Sequence, residues 1–199
     1  MKIFIVYCHP AASLPEDNSF TCEIRDSFIA GLESAGHDYL LSDLYGMNFI
    51  TDMSGDEYRR EAFYKRELPV PDDVKAEQEK INKSDAIVFI YPVFWTEAPA
   101  KLVGWFDRVW TFGFAYGENR GMKQLEKGLI LCSAGNTAEY FEQTGLGDAM
   151  KKVMLNDRFF DRVKYKEMII FDATSREKPE RDLNRDKHLK KAFETGAGI

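Results

Sequence analysis

The chain alternates short apolar runs with longer stretches whose hydrophobic positions recur at helical spacing. Lys2 to Cys8, Ala86 to Tyr91 and Lys127 to Ser133 are continuous or nearly continuous apolar runs of strand length. Such runs mark strands covered on both faces of a parallel sheet. Asp38 to Leu44 and Tyr165 to Ala173 read as two further strands. Between them lie helical patterns: about Phe20 to Ala35 with stripe Ile24, Phe28 and Leu32, and Asp72 or Asp73 to about Lys83 with Val74 and Ile81 inward. Gly36 stands in the C′ position that ends the first of these. A third helix follows Pro99, which suits a first turn, with Leu102, Phe106 and Val109 as its stripe, broadened by Val103 and Trp110. Tyr140 to Phe160 reads as helical in whole or part. A charged helix from about Glu180 to Glu194 has Leu183, Leu189 and Phe193 as its few anchors and is expected to lie on the surface. Tyr45 to Pro71 is polar and broken by glycines and prolines, a long connection with at most short helices.

Five strands alternating with helices predict an α/β fold, a doubly wound parallel sheet of order 2-1-3-4-5, because parallel strands need right-handed crossovers. In that order the carboxyl ends of the first and third strands flank the switch point where such sheets place ligands. The segments there are Cys8 to Thr21 and, after Pro92, Val93 to Ala98. The first is a polar loop with Ser13, Pro15, Asp17, Asn18 and Ser19 running into a helix start, where unpaired first-turn N–H groups favour an anion. Ser19 is read equally as a plain N-cap. Phe94 and Trp95 suit a flat aromatic ligand or a cap on the core. Ala134-Gly135-Asn136-Thr137, at the end of the fourth strand, is a close-approach loop or an ordinary turn.

At 199 residues the chain has room for one sizeable domain, 1–199, and a net charge of -6 with pI near 5.2 gives no basic footprint for nucleic acid or an anionic membrane. Cys8, Cys22 and Cys132 are an odd number without C-x-x-C spacing, and Cys8 and Cys132 sit in apolar strand-like runs, which reads as reduced core thiols and a cytoplasmic location. No run is long enough for a signal core or a transmembrane segment. His37 and His188 lack partners at metal spacing and read as solvated surface residues, so no metal site is expected. Trp105 and Trp110 read as core or dimer surface.

Several blocks carry a resemblance: Tyr91-Pro-Val-Phe-Trp95, Ala98-Pro-Ala-Lys-Leu-Val-Gly-Trp-Phe-Asp-Arg-Val109, Gly113-Phe-Ala-Tyr116, Ser42-Asp-Leu-Tyr-Gly-Met-Asn-Phe49, and His9 after the first strand. The sequence resembles the flavodoxin-like NAD(P)H:quinone reductases of the DT-diaphorase type, from residue 2 to about residue 150. The resemblance implies a flavin, FMN first and FAD second, because the long extension that helps larger members hold adenosine has no counterpart. His9, Ser19, Phe20 and Thr21 would hold its phosphate end. Pro92, Val93, Phe94, Trp95 and Thr96 would line the ring, and Ser133, Ala134, Gly135 and Asn136 would meet its other edge. The implied reaction is ping-pong hydride transfer from NAD(P)H through the flavin to a quinone or similar electrophile, in a homodimer whose sites the partner completes. Tyr140 matches the family's catalytic tyrosine. Three positions depart from the pattern: Thr21 stands where an asparagine is common, Thr96 replaces an aromatic, and Leu146 falls at the catalytic histidine. An alternative reading is a flavin- and nucleotide-binding regulatory subunit, as some relatives are for potassium-efflux antiporters.

Overall fold

The computed structural model describes residues 1–13 and 19–199, so the expected loop residues Pro15, Asp17 and Asn18 lie outside the described residues. Five parallel strands, β1 (Lys2–Tyr7), β2 (Asp38–Asp43), β3 (Ala86–Pro92), β4 (Leu125–Ser133) and β5 (Val163–Phe171), form one sheet of order β2-β1-β3-β4-β5. Both fold class and order agree with the expectation from the apolar runs. Along β1 alternate side chains divide between two cores, as the two-residue period of a strand requires: Ile3, Ile5 and Tyr7 face one, Phe4 and Val6 the other. The first core is covered by α1 (Phe20–Ser34) and α7 (Glu180–Ala197). The second is covered by α3 (Asp72–Lys83) and α4 (Ala100–Val109), with α6 (Leu146–Val153) behind α5 (Ala138–Thr144). A π turn, Met154–Phe159, continues α6. Trp105 and Trp110 belong to this second core.

The surface reading of α7 is corrected. Its inward stripe is His188, Ala192 and Gly196, four residues apart, while Leu183 is 81% exposed and Phe193 is 38% exposed. The reason is a backbone-to-backbone crossing. A Cβ on Gly31 of α1 would come 2.1 Å from the Phe193 carbonyl oxygen, and one on Gly196 would come 2.1 Å from that of Phe28. Small residues therefore set the contact, and bulky ones are displaced outward. The same crossing buries His188, against the expectation of a solvated residue, and fixes it at 7% exposure. Cys8 and Cys132 are buried and unpaired, with burial pushing the Cys8 thiol up to about 12.

The long connection before α3 contains α2 (Gly55–Ala62), opened by a reciprocal capping box between Ser54 and Glu57. It is fastened to α4 by charge rather than by a large apolar face. The buried Arg108 donates to Glu57 Oε1 at 2.7 Å, to the Ile50 carbonyl at 2.7 Å and, with both terminal nitrogens, to Asp73. That engagement explains why Asp73 does not cap α3, whose N-cap is Pro71 without a side-chain bond. Pro99 likewise sits at the N-cap of α4, one residue before its first turn. Glu77, fully buried, accepts from Ser42, Lys80 and the Trp105 indole, so each carboxylate oxygen is satisfied.

Arg108→Ala would leave two carboxylates without their cation, and urea unfolding should show a loss of about 3–5 kcal/mol. Burial alone would favour the neutral carboxyls of Glu57 and Asp73. The capping-box hydrogen bonds with Ser54 together with Arg108 outweigh it at Glu57, and the hydrogen bonds and charge of Arg108 outweigh it at Asp73, so both are held below the ordinary carboxylate range. Their contribution is thus present above about pH 4, the unfolded value, and is lost as pH falls through the lower folded values. The parent protein should lose stability with acid more steeply than Arg108→Ala, which stability measured across that pH range checks.

Candidate functional site

The carboxyl ends of β1, β3, β4 and β5 open on one cavity of about 320 Å³, within the range of small-ligand sites. His9, Ser19, Phe20 and Thr21 form one wall, and Pro92, Val93 and Phe94 form the next. Ser133 and Gly135 come from the end of β4. The structure thus brings together most of the residues that the sequence singled out.

The first wall begins at α1. Ser19 has extended backbone geometry, and its hydroxyl accepts the Cys22 N–H at 3.1 Å, so it is an N-cap in fact as well as a wall residue. Capping engages one of the first-turn donors and leaves the helix's positive end at the cavity. The Thr21 hydroxyl is 2.7 Å from that of Ser133, both buried, which ties the start of α1 to the end of β4. His9 Nδ1 accepts the Ala11 N–H at 3.1 Å, which places the proton of the neutral ring on Nε2, and the ring lies nearly parallel to that of Tyr7.

The remaining wall was not anticipated. Thr174, Ser175 and Arg176 follow β5, and Arg181 comes from the first turn of α7. The Arg181 guanidinium lies 5.6 Å over the Phe20 ring, and its Nε is buried without a hydrogen-bond partner. A buried donor left in that state is costly unless a ligand completes it. The rule that placed ligands at strand ends applies to β5 as well, and a hydroxyl pair followed by arginine there was the available signal. Arg181 had been absorbed into a charged helix face.

Several expected residues stand elsewhere. Phe94 and Glu97 exchange backbone hydrogen bonds across a two-residue turn, at 2.9 and 3.0 Å, whose central residues Trp95 and Thr96 have φ of 52° and 65°. This is the turn pattern that favours asparagine and glycine, here made by a tryptophan and a β-branched residue. Trp95 is fully exposed at the tip, outside the cavity wall, and Thr96 borders a separate pocket of about 80 Å³ with Tyr91 and Glu97. Ala134 and Asn136 contribute backbone instead: the Ala134 and Asn136 carbonyls accept from Thr174 and Ala173, joining the loops after β4 and β5. Tyr140 is half-exposed in the first turn of α5, outside the cavity wall. Leu146, where the family's histidine would fall, packs against the second core.

Comparison with known proteins agrees with this fold. The family described as flavodoxin-like fold matches residues 1–194. The ribosyldihydronicotinamide dehydrogenase [quinone] of Homo sapiens is 32% identical, across 74% of this chain and 70% of that protein. The solved structure of an NAD(P)H:quinone oxidoreductase from Methanothermobacter marburgensis superposes with a TM-score of 0.90 at 42% identity, covering 100% of this chain and 96% of that one. An FMN-dependent NADH-azoreductase from Bacillus anthracis, solved in complex with FMN, shares the fold at a TM-score of 0.68 and 16% identity, across 99% and 98% of the two chains.

The turn carries its own test. Asparagine tolerates positive φ far better than threonine, so Thr96→Asn is expected to stabilise the protein by about 0.5–1 kcal/mol, a rise of about 1–4 °C in Tm for a chain of this size. A fall in Tm would mean that the Thr96 side chain holds the turn through contacts that outweigh the strain.

Proposed function

The chain belongs to the flavodoxin-like fold family, among the quinone reductases of the DT-diaphorase type, and from that premise we propose that it carries hydride from NAD(P)H to quinones or related electrophiles by a ping-pong mechanism at one flavin site. The observation that carries this reading is the unpartnered Nε of Arg181 beside the α1 N-terminus, a ready donor set for a phosphate. The residues present therefore fit a flavin monophosphate. His9, Ser19, Phe20, Thr21 and Arg181 would hold its phosphate end. Val93 and Phe94, with Ser133 to Asn136, would border its ring, and Trp95 and Thr96 would meet it only from the turn just outside the cavity wall. When bound, the flavin supplies a two-electron hydride acceptor and donor. FMN is the preferred cofactor and FAD the alternative; the FMN complex of the Bacillus anthracis neighbour supports that order.

The protein's own part in the chemistry is positioning and proton handling. Phe94 supplies an apolar wall, and Thr96 in place of an aromatic makes the ring side more polar. With Leu146 apolar, Tyr140 Oη is the proton-holding group of this edge, acting without a histidine partner. We read residues 1–199 as one flavin-binding domain in the cytosol, in keeping with its buried, unpaired thiols. The exposed Trp95, and Ile50, Tyr58, Phe63 and Tyr64 at 62–66% exposure, support a homodimer in which a second copy covers apolar surface. Among the described residues no helix is long and apolar enough to cross a membrane.

Anaerobic NADH or NADPH should bleach the visible absorbance of the FMN-loaded protein, and a quinone should restore it. Arg181→Ala should weaken FMN binding by roughly tenfold to a hundredfold, the value of a hydrogen bond to a charged group. Tyr140→Phe should lower quinone turnover by about 10²-fold while leaving FMN affinity unchanged. Failure of the parent protein to bind either flavin would overturn the reading, and a monomer in light scattering at micromolar concentration would remove the dimer.

A further inference from the structure

His188 is an imidazole in a place that packing alone would give to a hydrocarbon. It is the first residue of the inward stripe of α7, 7% exposed, with the ring edges of Phe20 at 5.9 Å and Phe171 at 5.5 Å around it. A buried polar ring costs free energy unless it is hydrogen-bonded. Its partner is Asp172, the residue that follows β5. His188 Nε2 lies 3.1 Å from the Asp172 carbonyl oxygen and 3.6 Å from Oδ1. A carbonyl can only accept, so Nε2 carries the proton.

Asp172 passes that contact on. Its Oδ2 accepts the Ala138 N–H at 2.8 Å, at the very start of α5. Helix α5 has 7 residues, too few to hold its conformation unaided, and Tyr140 lies in its first turn. Its other side-chain cap, from Thr137 Oγ1 to the Tyr140 N–H, is long at 3.3 Å. The adjoining loop needs support as well, since Ala173 has a φ of 52° and keeps it through the bond to Asn136.

We propose that His188 is a positioning residue: through Asp172 it fixes the start of α5 and the loop beside it, so that the C-terminal helix sets the Tyr140 edge of the site. The link to catalysis rests on the function proposed above, but the structural coupling does not. His188→Leu keeps apolar volume and removes the donor, whereas His188→Gln keeps an N–H that can reach the same carbonyl.

Hydrogen exchange on the flavin-free protein tests the coupling directly. In His188→Leu the amides of residues 138–144 should exchange about tenfold faster, the value of one hydrogen bond to a charged or helix-capping group, while those of α1 hold steady. His188→Gln should return them to within about threefold of the parent. Asp172→Asn, which leaves the α1–α7 crossing untouched, should loosen α5 alone and serves if His188→Leu does not fold. In the FMN-loaded protein, His188→Leu should lower kcat for quinone with FMN affinity within about twofold. Unchanged exchange at 138–144, an equal rise across α1 and α7, or glutamine no better than leucine would each overturn the proposal. Because exchange needs no flavin, those outcomes stand apart from any failure to bind FMN.

Discussion

Everything in this molecule follows from the requirement that parallel strands return their chain across a face of the sheet. Each strand points the same way, so every loop that leaves a carboxyl end is delivered to one edge. The return paths then divide. After β1 the chain crosses as α1 on the face that holds Ile3 and Ile5, and after β3 it crosses as α4 on the face that holds Phe4 and Val6. Because β1 and β3 are neighbours in the sheet, the loops that diverge from them leave a crevice between. The cavity is thus a consequence of topology before any side chain is chosen. The side chains then give it chemistry: one helix start, two arginines and a short aromatic turn.

The strands and their order were legible because buried parallel strands are written as uninterrupted apolar runs, which few other elements resemble. Ala86 to Tyr91 is such a run, and every residue of it is buried. What escaped the sequence was non-local. Leu183 and Phe193 look like anchors at helical spacing, but the contact of α7 with α1 is decided by Gly31 and Gly196, distant in sequence and silent in a hydrophobic pattern. His188 looked solvated for the same reason. Asp73 looked like a cap until Arg108, brought from α4, claimed it. In the site, residues near the ends of β1, β3 and β4 were found by motif, whereas Arg181 was hidden by its neighbours' charge.

The treatment of buried charge separates the scaffold from the site. Within the scaffold the buried carboxylates and their arginine are saturated: Glu61 accepts from Arg60, from the Phe112 N–H and from the Tyr116 hydroxyl, and Arg108 and Glu77 are equally engaged. Such satisfied networks hold the long connection in register without a large apolar face. Among the described residues two buried side-chain nitrogens lack a partner, Arg162 Nε and Arg181 Nε. The first belongs to a guanidinium lying over the Trp110 ring, a setting that compensates a cation in part. Both guanidiniums stack on an aromatic ring and both border a cavity, but Arg162 shares its cavity with the carboxylates of Glu61, Asp107 and Asp157. Among the described residues the lining of the Arg181 cavity holds no carboxylate, which leaves room for a bound anion to complete the donor.

The two ends of the cavity are built to different standards of rigidity. The α1 end is a helix start with a side-chain cap, tied by the Thr21–Ser133 hydrogen bond to the buried end of β4. Moving it would break regular structure. The opposite end is flanked by a turn with Trp95 and Thr96 at positive φ, a loop with Ala173 at positive φ, and the 7-residue α5. None of these is stable in isolation, so their geometry is borrowed from whatever braces them. On the function proposed above, binding affinity would reside with the rigid end and reactivity with the braced one, so a change at Thr96 would alter what a bound ring meets without disturbing how its phosphate is held.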